Sequence, residues 1–178
     1  MNEKKKLAET RLEGEVLFEG RLLRLERDRV RLPNGTEALR EIVRHPGAVA
    51  VIALYEQELL MVRQFRYPVG RETLEIPAGK IDPQEAPLAC AIRELREETG
   101  YRGTMEEIAT FYTTPGFSDE VMHVFLASDL SWDPLTMDDD EFIALERIPW
   151  AEALKLARNN GFIDAKTILG ILLAEGHI

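Results

Sequence analysis

One stretch, Gly79 to Tyr101, constrains this chain more than any other: Gly-Lys-Ile-Asp-Pro-Gln-Glu-Ala-Pro-Leu-Ala-Cys-Ala-Ile-Arg-Glu-Leu-Arg-Glu-Glu-Thr-Gly-Tyr. Asp82-Pro83 is a helix-start signal and Thr99-Gly100 a stop signal. Between them Leu88, Ala91, Ile92 and Leu95 recur at helical spacing and predict one buried stripe. At about 100° per residue, Glu94 and Glu98 share a face one turn apart, with Glu97 beside them. That face is expected to lie away from the apolar stripe. Carboxylates gathered this way repel one another unless positive charge sits among them, and an all-oxygen cluster suits a hard divalent cation such as Mg²⁺. The charge pattern alone also allows a plainer reading, a solvated face whose glutamates pair with Arg93 and Arg96.

The spacing favours the first reading. Gly79, Glu85, Arg93, Glu94, Leu95, Glu97, Glu98, Gly100 and Tyr101 resemble the signature of the Nudix hydrolases. That signature is a glycine, five residues, a glutamate, seven residues, then Arg-Glu-aliphatic-x-Glu-Glu-x-Gly-aliphatic. Only Tyr101 departs from it, and a tyrosine can still bury its ring at an aliphatic position.

The 178 residues suit one domain with a sizeable core, and 45% apolar with 30% charged residues is the balance of a soluble globular protein. No apolar run reaches the ~20 residues that span a bilayer, and the charged start Met1 to Thr10 has no apolar stretch behind it, unlike a secretory signal. The single cysteine, Cys90, has no internal disulfide partner and no metal-ligand neighbour, which fits a packed helical residue and a reducing cytoplasm. A net charge of −10 argues against non-specific nucleic-acid binding. An acidic chain must recruit an anionic substrate locally, through arginines and bound metal.

Along the chain, strands are expected at Gly14 to Glu19, Arg21 to Leu32 and Thr36 to Val43, with Pro33-Asn34-Gly35 as the turn of a hairpin. This ribbon carries polar residues on both faces, a pattern that calls for a partner surface such as a second subunit. Pro46-Gly47 breaks the chain, and Ala48 to Leu54 reads as a fully buried strand. Strands follow at Glu58 to Phe65, Thr73 to Ile76, Met105 to Tyr112, Val121 to Ala127 and Phe142 to Ile148. Helices are expected at Trp150 to Arg158 and Ile163 to Ala174, the latter with Asp164 in its first turn. The order predicts a mixed α/β domain.

The resemblance implies a Nudix fold, a mixed β-sheet between helices. An antiparallel N-terminal ribbon over residues 1–44 would precede a hydrolase domain over 45–178, and the protein would be a homodimer. It implies that Glu94, Glu98 and the Ala78 carbonyl bind Mg²⁺, with Mn²⁺ as the alternative ion. Glu97 supports them, Glu85 assists, and Arg93 orients the glutamates. Pro115 within Thr114-Pro115-Gly116 is similar to the mark of the ADP-ribose pyrophosphatase branch. That branch implies substrate contacts from Gly79, from Glu120 to ribose hydroxyls, and from Phe117, which core packing explains equally well. It also implies diphosphate contacts from Arg66 and from Arg40, the latter in a partner's site through an exchanged ribbon. Each arginine has the alternative of a strand-surface ion pair. In Asp138-Asp139-Asp140-Glu141, the branch implies a late metal ligand and the residue that activates water, Glu141 first and Asp139 second. His45, His123 and His177 share no spacing suggestive of a site. The implied reaction is Mg²⁺-dependent hydrolysis of ADP-ribose to AMP and ribose 5-phosphate. The alternatives are the same cleavage of another nucleoside diphosphate sugar or a dinucleotide, and a non-catalytic ADP-ribose sensor.

Overall fold

The computed structural model describes residues 7–137 and 142–178. These residues group into two units: the chain up to Pro46 together with Tyr112–Val121, and Gly47–Phe111 together with Met122–Ile178.

In the first unit, β1 (Thr10–Glu19), β2 (Arg24–Arg31) and β3 (Glu37–Arg44) form an antiparallel sheet in that order. The β2–β3 turn has Gly35 at φ 87°, where an L side chain is strained and glycine is not. Strand β2 alternates strictly. Glu26, Asp28 and Val30 are buried while Arg27 and Arg29 are exposed, so both faces carry charge, as the ribbon's pattern predicted. The 112–121 segment joins β3 through Val43 N–H donating to Phe117 O (2.8 Å) and Asp119 N–H donating to Val43 O (3.3 Å).

The second unit is built on β4 (Ala48–Tyr55), followed by β5 (Glu58–Arg66), β6 (Arg71–Glu75), β7 (Ala78–Lys80), α1 (Pro87–Thr99), β8 (Tyr101–Tyr112), β9 (Val121–Trp132), β10 (Ile143–Pro149), α2 (Trp150–Arg158) and α3 (Ala165–Ala174). The sheet runs β10-β5-β4-β9-β8, with β6 on β5 and β7 on β4; β4 and β9 are parallel and the other recorded pairings antiparallel. The apolar run of β4 is explained by its two faces. Ala50 and Ile52 pack with Met61, Ile76, Ala153 and Ile171 toward α2 and α3. Val49, Val51 and Ala53 pack with Cys90, Ala91 and Leu95 of α1. A strand covered on both faces needs apolar residues at every position, each large one contributing about 1.5–3 kcal/mol when buried. The expected mixed sheet between helices is therefore present. Among the described residues no helix is long and apolar enough to cross a membrane.

Three local expectations are corrected. Helix α1 begins at Pro87, not at Asp82-Pro83. A proline pushes its predecessor into extended geometry, and Ala86 sits at ψ 146°, so a helix from Asp82 would be broken here. Residues Asp82–Glu85 instead make a turn closed by Glu85 N–H to Asp82 O (3.0 Å). Leu88, expected in the buried stripe, is 48% exposed. Glu94 and Glu98, expected on a face away from the core, are 6% and 7% exposed. Smaller differences follow: β7 occupies a stretch expected to be a connection, and Asp164 lies before α3 as its cap, accepting from Thr167 N–H (3.0 Å).

Candidate active site

The buried glutamates of α1 meet the backbone of β7. Pairing with β4 in the register Val49↔Gly79 and Ala50↔Ala78 fixes β7, and the apolar face of α1 packs on that same β4. Ala78 N–H donates to Glu98 Oε2 at 2.9 Å. Gly79 leaves room for the Glu94 carboxylate, because a Cβ there would stand 2.0 Å from Glu94 Cδ and Oε1. The opening glycine is thus required by close approach, not by its backbone angle.

Arg93 gathers the remaining acids. Its Nε and Nη2 donate to the two oxygens of Glu85, both at 2.9 Å. Its Nη1 donates to Glu94 (2.7 Å) and Glu97 (2.9 Å). The Glu85 fork, then, against the cost of burial, the charge of Glu94 and the hydrogen bonds to Glu97 and Glu94, raise the guanidinium's proton affinity further. The same Arg93 fork, helped by the Asp82 amide, holds the Glu85 carboxyl down at about 2 despite partial burial. Arg96, a candidate partner in the plainer reading, turns away to the Asp133 carbonyl (2.9 Å) and carboxylate (3.0 Å). The Arg93 guanidinium therefore gathers Glu85, Glu94 and Glu97.

Among the described residues no group of three or more His, Cys, Asp and Glu side chains is poised as a ready metal cage. What the helix offers is two buried carboxylates, Glu94 and Glu98, seated on the main chain of β7. An all-oxygen, net-negative donor set with a cradle kept open at Gly79 fits a hard divalent cation. Cys90 is no competitor as a ligand: burial, then the charges of Glu94 and Glu85, push its thiol up to about 12.

Arg66 closes β5 and is forked onto Glu75 of β6, with Nε to Oε1 at 2.8 Å and Nη2 to Oε2 at 2.7 Å. The carboxylate of Glu75, 2% exposed, also accepts from Thr73 Oγ1 (2.5 Å) and from Lys166 Nζ. Burial would push this carboxyl up, but the Arg66 fork, Lys166 and Thr73 hold it down at about 2. Neither Glu75 nor Lys166 was singled out from sequence. The available signal was a carboxylate between Leu74 and Ile76 in a short strand, a costly place to bury charge without partners.

In the first unit, Arg40 is forked onto Glu9 (Nε 3.0 Å, Nη2 2.5 Å). Glu120 accepts from Thr113 Oγ1 (2.5 Å) and lies 3.6 Å from His45 Nδ1. Phe117 is 56% exposed, so it is not a core residue. Arg44, unremarked in the sequence, pairs with Glu26 and Asp119, both at 2.9 Å. Asp139 and Glu141 lie outside the described residues.

Residues 44–168 match the model of the NUDIX domain. The chain belongs to the Nudix family. Residues 9–43 match the nucleoside diphosphate sugar hydrolase N-terminal domain. The ADP-ribose pyrophosphatase of Bacillus subtilis (strain 168) is 45% identical over 171 residues, covering 94% of this chain and 92% of that protein. The methanol dehydrogenase activator of Bacillus methanolicus is 44% identical over 167 residues, covering 92% and 90%. The crystal structure of an ADP compounds hydrolase superposes with TM-score 0.86 at 24% identity, covering 98% of this chain and 96% of that one, a likeness of fold. The Nudix signature runs from Gly79 in β7 through the turn and α1 to Tyr101 at the start of β8. The ring of its atypical Tyr101 is buried at 7% exposure, and its hydroxyl accepts from Arg147 Nη2 at 2.7 Å.

Proposed function

We propose that this Nudix protein hydrolyses the diphosphate of ADP-ribose to AMP and ribose 5-phosphate with Mg²⁺. The observation that carries the reading is the buried pair Glu94 and Glu98, one seated on Gly79 and the other on the Ala78 amide. The 45% identical relative named as an ADP-ribose pyrophosphatase supports the choice of substrate.

A diphosphate resists water because its oxygens repel a nucleophile. Bound Mg²⁺ would neutralise that charge and make a bound water more acidic. Glu94, Glu98 and the Ala78 carbonyl are the residues to hold it. Arg93 keeps Glu85 and Glu97 oriented around them. Arg66 presents its guanidinium to the diphosphate, a group whose fork suits phosphate oxygens. Arg40, Phe117 and Glu120 are proposed substrate contacts. Glu141, or else Asp139, is proposed to take the proton of the attacking water. The N-terminal sheet is proposed to pair with a second copy; its exposed Phe18 and Leu39, each 60% exposed, support this.

Glu98→Gln tests the central claim. It keeps the shape and removes the charge, so turnover should fall about 10²-fold or more with little change in melting temperature. Wild-type turnover in that variant refutes the metal assignment. A second reading is the same cleavage of another nucleoside diphosphate sugar or a dinucleotide. It is favoured by the match of residues 9–43 to the nucleoside diphosphate sugar hydrolase N-terminal domain. Product analysis across a nucleotide panel separates the two.

A further inference from the structure

The Glu75 carboxylate is filled to capacity. It has two oxygens with about four acceptor sites. Arg66 Nε, Arg66 Nη2, Thr73 Oγ1 and Lys166 Nζ supply donors to them. A carboxylate held from all sides does not rotate, and neither does the guanidinium forked onto it. Lys166 is 12% exposed and also bonds Asp164 Oδ2 at 2.9 Å. Asp164 caps α3, and the Thr167 hydroxyl beside it donates to Asp164 (2.6 Å) while accepting from Ile76 N–H (3.0 Å). The start of α3 is thereby bolted to the end of β6. Two residues past Ile76, Ala78 N–H holds Glu98. One short run of chain therefore orients both Arg66, through Glu75, and Glu98, through Ala78.

The charges around the bolt cancel, Arg66 and Lys166 against Glu75 and Asp164, yet Arg66 also feels the Glu98 carboxylate. Of five guanidinium N–H donors, the Glu75 fork uses two, leaving three for another oxygen pair. The Arg66 side chain is 40% exposed, so it is not sealed by its partners.

We propose that Glu75 and Lys166 are positioning residues: together they lock the Arg66 fork so that its outer edge is set to receive a substrate phosphate. This rests on the reading that Arg66 contacts the diphosphate. A free arginine would have to be ordered on each binding event, whereas a locked one is ordered before substrate arrives.

The test measures KM, kcat and melting temperature for ADP-ribose in Arg66→Ala, Glu75→Gln, Lys166→Met, Lys166→Arg and the double variant Arg66→Ala/Glu75→Gln. Glu75→Gln and Lys166→Met should each raise KM about tenfold or more with a smaller change in kcat, and Lys166→Arg should restore most of the loss. In the Arg66→Ala background, Glu75→Gln should cost nothing further in kcat/KM, because its effect passes through the arginine. Full additivity there, or an unchanged KM in both Glu75→Gln and Lys166→Met, overturns the positioning role. If Arg66→Ala itself leaves kcat/KM untouched, the diphosphate reading of Arg66 has failed, an outcome distinct from failure of the lock. Should Glu75→Gln not fold, the Lys166 pair decides alone: equal KM in Lys166→Met and wild type overturns the proposal.

Discussion

Gly79→Ala adds one methyl group at the point where β7 and α1 touch. The new Cβ would lie 2.0 Å from Glu94 Cδ and Oε1, against 3.4 Å for ordinary contact, so the carboxylate must retreat by 3.4 − 2.0 = 1.4 Å. Gly79 does not sit at positive φ, so alanine meets no backbone strain of its own. The carboxylate is the free end of a flexible side chain and moves more cheaply than the strand. The stability cost is that of an off-rotamer glutamate, about 1 kcal/mol, or about 2–4 °C in Tm for a chain of this size. The catalytic cost is larger. Mg²⁺ demands ligands at about 2.0–2.1 Å in near-octahedral geometry, which a shift of more than an ångström destroys. Turnover of ADP-ribose should fall about 10²-fold, with the Mg²⁺ concentration for half-maximal rate rising. AMP release followed by chromatography over a Mg²⁺ titration, beside a thermal melt, reads both quantities. Turnover within threefold of wild type at every Mg²⁺ concentration would show that the Glu94 carboxylate does not hold the ion.

Two more outcomes are expected. Glu75, held at about 2 in the folded chain against an ordinary 4.5, contributes stability that is complete above pH 4.5 and is lost as pH falls toward 2. The linked free energy is about 3 kcal/mol, so denaturant titrations at pH 5 and pH 3 should show a smaller difference in Glu75→Gln than in wild type; equal differences refute the assignment. The wild type should sediment as a dimer and Phe18→Lys with Leu39→Lys should lower its mass, since both side chains are 60% exposed on the N-terminal sheet; a wild-type monomer removes the second copy.

Much of the fold was legible because local patterns and tertiary demands agree. The uninterrupted apolar run of β4 announced a strand covered on both faces, and α2 was readable to its ends. The start of α1 misled because Asp82-Pro83 has the chemistry of a helix opening, whereas Pro87 sets the boundary by forcing Ala86 extended. The network at Glu75 was not legible, since its partners Arg66 and Lys166 are 9 and 91 residues away in the chain. Phe117 remained open between packing and exposure, because a single aromatic in a loop has no periodicity to read.

By itself the sequence determined which residue types stand at which spacing: a glycine, five glutamate and arginine positions of a Nudix signature, and a strand-helix order that admits few arrangements. Those are properties of short windows, governed by dihedral preference and period. Tertiary structure alone decided that Glu94 and Glu98 turn inward and that Arg66 is forked onto Glu75. Burial and ion pairing depend on which chain segments meet across the core, and periodicity along one helix carries no record of that.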